Sequence, residues 1–347
     1  MMRLATRLSA EERLSRLYTG SCQGADRLPL LPLVNLDATR ALQAAPRFAS
    51  AIANDPAGGY LLTLGYVNLA PVLRLWRPRA RIVLRLGNTV TPELRILPAP
   101  ARLRYLVSLR LAAHFADRII VQSRYMGEDL AGHLHGVAPK LEVVYNFIEN
   151  DLWDYRPPPS RPLADPYLFC AANMKPQKGF DVLLAAYARS PRRKTARLVI
   201  AGVDPADAAF TDLMRQNKLG EFEVVRLGFI PEIYGWIAHA ETCVLASRFE
   251  GFSNFLLEAA ALGKRIVATD CPGGNGEFFE HYPNVETVPV NEVEELAEAM
   301  ATQRHDLDRA ETYRFLKAFN EDQIYRRYKD ILTPKTGTGP STAPGAD

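Results

Sequence analysis

Residues 247–279 read SRFEGFSNFLLEAAALGKRIVATDCPGGNGEFF, and the alternation within this stretch decides the fold. An apolar run of strand length, Thr242–Ala246, gives way to a polar loop holding Glu250, Gly251, Phe252, Ser253 and Asn254. An apolar helix carrying Glu258 follows, then Gly263 and a second apolar run, Arg265–Thr269. Strand, loop, helix and strand in that order form the repeating unit of a parallel α/β sheet. Open sheets of this kind bind ligands beyond the carboxyl ends of their strands, where a helix N-terminus offers unpaired N–H groups to an anion. The stretch therefore points to a ligand that bears phosphate and hydroxyl groups.

Working outward, the same alternation fills most of the chain. Toward the N-terminus, strands are expected at Tyr167–Ala172, Arg197–Gly202 and Glu223–Leu227, with helices at Asp181–Arg189, Ala208–Lys218 and Ile233–Ala240. Toward the C-terminus, strand Glu286–Pro289 and helix Val293–Gln303 complete a doubly wound domain. Two further helices, Ala310–Phe319 and Asp322–Leu332, are expected to pack outside its sheet. Prolines 157, 158, 159, 162 and 166 mark residues 151–166 as an interdomain linker. Before it, strands at Tyr60–Gly65, Arg81–Leu86, Arg118–Gln122 and Leu141–Tyr145 alternate with helices at Leu69–Leu75 and Ala101–Phe115, and Ser123 is placed to cap another helix. The first residues read as a helix, Ala10–Tyr18, a loop with Gly20 and Gly24, an edge strand Leu30–Val34, and a helix Ala38–Ala45 ending at Pro46. The expected architecture is two doubly wound, parallel-sheet domains of Rossmann type facing across a cleft. Residues 1–150 form one, residues 167–332 the other, and 333–347 a disordered Pro/Gly/Thr/Ser tail.

Composition is consistent with this reading. At 347 residues, with 48% hydrophobic and 23% charged, the chain can bury two cores. The cysteines, Cys22, Cys170, Cys243 and Cys271, are dispersed and form no CxxC pair, which suits buried thiols in a reducing compartment. No apolar run is long enough to span a bilayer, and the first residues lack a signal-peptide core, so a cytoplasmic protein is expected. The net charge of +3 hides an asymmetry: eleven arginines face only Glu93 and Asp117 between Arg74 and Arg124. Such a run is either a solvated basic face or a surface for anionic lipid headgroups or a phosphorylated acceptor. Nucleic acid is disfavoured, because aromatics are not interleaved and no nucleic-acid module is visible.

Three clusters fall at carboxyl ends of second-domain strands: Asn173–Gly179, Gly228–Ile230, and Glu250–Glu258 with Asp270–Glu277 beyond it. Lys178 at a helix start can hold a diphosphate while Gly179 lets the backbone approach; the alternative is an exposed loop lysine. Glu250 and Glu258 can accept from sugar hydroxyls; the alternative is two surface acids. Against that alternative, Glu258 stands amid Phe255, Leu256, Leu257, Ala259, Ala260 and Ala261, where a carboxylate is costly unless satisfied. Gly273, Gly274 and Gly276 either open N–H groups to an anion or make a structural turn.

From Tyr167 to Phe279 the chain resembles retaining glycosyltransferases of the two-Rossmann-domain (GT-B) type, in particular glycosyltransferase family 4 (glycosyl transferases group 1). The resemblance rests on PQKGFDVLLAAY, LGFI, the E-x7-E pair in FEGFSNFLLEAAALGKRIVATD, and DCPGGNGE, with weaker matches in DRIIVQSRYM and VVYNFIE. It implies a nucleotide-sugar donor domain at the C-terminus and an acceptor domain before it. Lys178 would hold the diphosphate and Glu258 the ribose. Glu250 with Gly251, Phe252, Ser253 and Asn254 would hold the donor sugar and distal phosphate, and Ile230 after Gly228 would face the base. It also implies transfer with retained anomeric configuration and neither metal nor cofactor. The nucleotide sugar, UDP- in preference to GDP-, is a substrate, and the acceptor a glycan or lipid-linked molecule.

Two departures stand out. Asn173 occupies the place of a phosphate-binding arginine, so Lys175 or Arg124 would have to supply the missing charge. Gly87-Asn88 stands where a histidine is expected, and no Gly-rich loop follows an opening strand; either the true start lies upstream, leaving the N-terminal domain incomplete, or Gly20–Gly24 serves. His114, His133 and His135 read as structural or solvated. The expectation is a hexosyltransferase of polysaccharide or cell-envelope biosynthesis, cytoplasmic and at most peripheral at the inner face of the membrane. A nucleotide-sugar-binding pseudoenzyme and a sugar-nucleotide epimerase are the alternatives.

Overall fold

The structure, a computed structural model, describes residues 7, 17–19, 33–35, 41–53, 58–302 and 305–333. The Gly20–Gly24 loop, Pro32, most of the expected N-terminal helix and all of the tail beyond Thr333 lie outside these residues. Leu17 and Tyr18 of that expected helix lie instead in a strand, β1 (Leu17–Thr19), pairing parallel with Leu33–Asn35 (β2). The helix expected to stop at Pro46 runs Ala41–Ile52 with the proline inside it. Burial of Ala44, Phe48 and Ile52, at spacings of four, fixes it to the core and outweighs the lost hydrogen bond.

Four parallel strands follow in sequential order: β3 (Gly59–Thr63), β4 (Arg81–Arg85), β5 (Arg118–Val121) and β6 (Leu141–Val143). The second sheet holds six parallel strands, β7 (Tyr167–Ala171), β8 (Arg197–Ala201), β9 (Val224–Gly228), β10 (Thr242–Leu245), β11 (Ile266–Thr269) and β12 (Val285–Val288). Their spatial order is β12-β11-β10-β7-β8-β9. The chain thus starts in the middle, winds outward through β8 and β9, then returns to the other side of β7. This reversal leaves a crevice between β7 and β10, the position at which open α/β sheets bind ligands.

Period-two alternation distributes β7 between the two faces of its sheet. Tyr167 and Phe169 enter one apolar cluster, with Leu256, Ile266 and Phe319. Leu168 and Cys170 enter the other, with Leu184, Val244 and Leu296. In the first sheet Ile82 and Leu84 face the core formed by Leu73, Leu109 and Met126. Val83 and Ile120 face the opposite way.

That opposite face is covered by the last helix, Glu321–Leu332, which corrects the expectation that it packs outside the second sheet. Ile324, Tyr325, Tyr328 and Ile331 form one stripe and bury with Val83, Ile120 and Val144. Arg81 Nε donates to Ile331 O at 2.7 Å and Arg85 Nε to Tyr328 Oη at 2.9 Å. The chain therefore crosses between the two sheets twice, and the crossings run side by side: Ile148 N donates to Phe319 O at 2.8 Å, and Asn150 N to Glu321 Oε2 at 2.8 Å. The proline-rich segment is strapped to the second unit, with Leu152 buried and Tyr155 edge-on to Tyr234 at 5.6 Å.

Candidate functional site

Lys178 follows β7 and Glu250 follows β10, so the two flank the sheet's reversal point. A short 3-10 turn, Pro176–Lys178, ends at Gly179 in the left-handed region (φ 63°), and helix Phe180–Arg189 starts there. A Cβ on Gly179 would stand 2.1 Å from Ala246 O, so glycine is required by both φ and space. This close approach brings Lys178 Nζ within 2.5 Å of Glu250 Oε1, to which Ser247 Oγ also donates at 2.6 Å. Ser247 is fully buried and Glu250 only 5% exposed. A buried carboxylate of this kind is tolerable because a cation and a hydroxyl both satisfy it.

The loop carrying Glu250 is braced on two sides. Gln177 Nε2 donates to Phe249 O at 2.8 Å, and Arg248 N to Gln177 O at 2.7 Å. Arg248 also forks onto Asp181 at 2.6 and 2.9 Å, where the guanidinium outweighs burial and holds the Asp181 carboxyl below its ordinary value. On the other side Glu250 N donates to Pro272 O at 3.0 Å and Gly274 N to Gly251 O at 2.8 Å. The Gly-rich loop is thus a structural brace here. A Cβ on Gly273, whose φ is 136°, would fall 1.7 Å from Glu250 O. Of the two readings of this loop, an anion site and a structural turn, the turn is seen at Gly274, whose N–H is spent on the neighbouring loop.

Ser253 caps helix Asn254–Ala261, accepting from Leu256 N at 3.4 Å. Phe255, Leu256, Leu257 and Ala259–Ala261 are buried, whereas Asn254 is exposed and Glu258 half-buried. Being four apart, these two share the face turned from the core. Of the remaining expected residues, Asn173 is exposed at the end of β7, Gly228 adopts φ 64° at the end of β9, and Ile230 is half-buried against the apolar cluster. Strand β9 lies two strands from β7, about 10 Å away.

The first unit closes over this edge. A Cβ on Gly251 would meet Gly87 O at 2.2 Å, and one on Gly274 would meet Ser123 Cβ at 2.9 Å. Asn88 beside Gly87 is half-buried and donates to Glu93 Oε1 at 2.9 Å. Ser123 caps helix Arg124–His133 as expected, accepting from Met126 N at 3.1 Å. Arg124 is committed to carboxylates of the second unit, Glu280 at 3.1 Å and Glu277 at 3.4 Å, so a phosphate would have to compete with them for its charge.

Two features escaped sequence reasoning. Glu277 accepts from Arg124 N at 3.1 Å, Tyr125 N at 2.9 Å and Tyr145 Oη at 3.0 Å, so a carboxylate from one unit caps a helix of the other. Its place in DCPGGNGE marked it as a motif residue without revealing the partner. Asn146 bridges the units from within, donating to Phe252 O at 2.9 Å while its Oδ1 lies 2.8 Å from Arg85 Nη2 and 2.7 Å from Gln122 Nε2. Among the described residues no cluster of His, Cys, Asp and Glu could hold a metal ion.

Residues 165–306 match the family described as Glycosyl transferases group 1. A Campylobacter jejuni relative is 31% identical over 176 residues, 51% of this chain and 47% of its own. It is the N-acetylgalactosamine-N,N'-diacetylbacillosaminyl-diphospho-undecaprenol 4-alpha-N-acetylgalactosaminyltransferase. An exopolysaccharide phosphotransferase of Streptomyces coelicolor is 28% identical over 65% of this chain and 24% of its own. The chain spans less than half the length of the curated relatives it matches. Among solved structures, HepE of Anabaena in complex with UDP-glucose superposes with a TM-score of 0.76 at 20% identity, covering 95% of this chain and 94% of that one. Sucrose-phosphate synthase of Thermosynechococcus elongatus gives 0.75 at 18% identity, covering 95% and 90%. The fold is that of the GT-B enzymes.

Proposed function

We propose, from the premise that residues 165–306 are a glycosyl transferases group 1 domain on a GT-B scaffold, that the chain transfers a hexosyl group from a UDP-sugar to a glycan or lipid-linked acceptor. The observation that carries this reading is the Lys178–Glu250 pair at the sheet's reversal point, next to the Ser253-capped helix N-terminus. In that crevice Lys178 supplies fixed positive charge where the departing diphosphate gains negative charge. The N–H groups of the Asn254 helix add a second anion contact. Glu258 accepts from the ribose hydroxyls, and Glu250 with the backbone of 251–254 holds the donor sugar. Ile230 and Gly228, about 10 Å away across two strands, receive the base. Asn173 and Gly179 line the phosphate side.

The bound UDP-glucose of HepE supports a uridine donor, and the diphospho-undecaprenol named for the Campylobacter relative supports a lipid-linked acceptor. In this reading the anomeric configuration is retained, Glu250 is no nucleophile, and no metal or cofactor takes part. Asn88 and Arg124 face the acceptor side. Calorimetry with UDP tests the reading: the intact chain binds, and Lys178→Ala and Glu258→Ala each weaken binding at least tenfold. Mass spectrometry after incubation with a panel of UDP- and GDP-sugars identifies the donor, and the anomeric proton coupling of the product decides retention. No binding of either nucleotide sinks the proposal.

A further inference from the structure

Among the described residues the buried lysines and arginines are Arg85, Lys264 and Arg265. Two of them have a carboxylate against them, Lys264 with Asp306 at 2.5 Å and Arg265 with Glu286 at 2.8 Å. Arg85, only 8% exposed, has none among the described residues. Its Nε donates to Tyr328 Oη at 2.9 Å and its Nη2 to Asn146 Oδ1 at 2.8 Å, both neutral acceptors. Nη1 makes no hydrogen bond to a described residue, yet it is not sealed from solvent. A guanidinium cannot shed its proton to ease such burial. Neutral acceptors offset only part of the cost of burying the charge, and an anion offsets the rest.

The setting of Arg85 is the seam between the two units. It ends β4, and Gln122 and Asn146, both buried, follow the ends of β5 and β6, so the three lie along the carboxyl edge of the first sheet. Carboxyl edges of open sheets are where ligands bind. Gln122 lies against both the Asn146 amide and the guanidinium. Asn146 Nδ2 donates to Phe252 O at 2.9 Å, and a Cβ on Gly251 would stand 2.8 Å from Gln122 Oε1. The guanidinium is therefore one side chain removed from the loop that carries Glu250. Two other cations at this seam are already matched by carboxylates, Lys178 by Glu250 and Arg124 by Glu277 and Glu280.

We propose that Arg85, with Gln122 and Asn146 about it, is an anion subsite of the first unit that receives a phosphate group. The planar fork of a guanidinium matches two phosphate oxygens, and the neutral side chains around it fix its orientation without neutralising it. A carboxylate in their place would have satisfied the arginine permanently, as Glu286 does Arg265. The inference rests on the glycosyltransferase reading only for the source of the ligand. In that reaction either the nucleotide or a phosphorylated acceptor brings a phosphate group to this seam, and the arms of the test separate the two.

The test is titration calorimetry of the full chain with inorganic pyrophosphate, UDP and UMP. Lys178→Ala, which lacks the cation of the donor crevice, is expected to keep binding pyrophosphate, and adding Arg85→Gln should weaken that binding at least tenfold, as loss of a charge-assisted contact does. Arg85→Lys keeps the charge and loses the fork, so it should weaken it about threefold. Tyr328→Phe removes the acceptor of Nε and lowers the melting temperature, but leaves pyrophosphate affinity within twofold, which a purely structural arginine would not predict. Pyrophosphate binding beside saturating UDP, with UDP affinity unchanged in Arg85→Gln, assigns the phosphate to the acceptor. A tenfold loss of UDP affinity in that variant with UMP unchanged, and no pyrophosphate binding beside UDP, assigns it to the nucleotide. Absence of pyrophosphate binding by Lys178→Ala, or binding indifferent to Arg85→Gln, overturns the inference; if Arg85→Gln does not fold, unchanged affinity in Arg85→Lys does so. UDP binding in the overturning cases leaves the donor reading standing. Pyrophosphate binding that depends on Arg85, without UDP binding, upholds the subsite and sinks the donor reading, so the two fail separately.

Discussion

Glu250 shows how a carboxylate is accommodated at a sheet edge by the partners around it. Its Oε1 accepts from both Lys178 and Ser247, and the serine lies fully inside the protein. In the proposed reaction Ser247 would act by positioning Glu250. Ser247→Ala removes one charge-assisted bond, worth about 1.5–3 kcal/mol, and leaves Lys178 to hold the carboxylate alone. The expected outcome is a fall in kcat of at least tenfold with UDP affinity changed less than twofold; equal loss of both would mean that the serine only supports the fold. The thiols offer a second check. Burial pushes Cys170 and Cys271 up to about 12 and Cys243 higher still, so none is a thiolate at neutral pH. Alkylation of native protein at pH 8 followed by peptide mapping should leave all three unmodified, with full modification after denaturation.

Among the elements, loop bracing decides what can change. Gly273 has φ 136° and its missing side chain makes room for Glu250 O. Gly273→Ala should cost at least about 2 kcal/mol and displace the Glu250 loop. Ser253→Ala removes only a helix cap, about 1 kcal/mol, and serves as the mild comparison. Thermal melts rank the two, and a smaller loss for Gly273→Ala would refute the brace. These elements also mark what was legible beforehand. The strands around Cys170, Val199 and Val244 announced themselves as apolar runs, because a sheet covered on both faces has no polar alternation to hide them. The E-x7-E spacing placed Glu250 and Glu258 on loop and helix for the same local reason. What Gly273 braces was not legible, since a glycine's sequence context does not say which backbone it must clear. Pro46 misled because burial of Phe48 and Ile52, a tertiary effect, outweighed its local preference.

At the scale of the whole molecule the units are joined by Glu277, Asn146 and the paired crossings near Ile148 and Asn320. Glu277 reaches the N-terminus of helix Arg124–His133, so Glu277→Ala removes an interdomain cap together with the partner of Tyr145. Small-angle scattering of the variant should give a larger radius of gyration, with UDP affinity retained and transfer to acceptor lowered; an unchanged radius would mean that the other contacts suffice. This contact was illegible because it joins residues more than 150 positions apart, and no local periodicity carries such information.

The last helix has a consequence for how the protein is made. Val83, Ile120 and Val144 are translated about 180 residues or more ahead of the side chains that cover them, Ile324 to Ile331. The first unit is therefore completed only after the second has been translated. Until then one apolar face of its sheet is uncovered, while strands β7 to β12 of the second unit are already translated. A nascent chain stalled before Asn320 would carry a finished second unit and an unfinished first one, exposed to chaperones and proteases in the reverse of its genetic order.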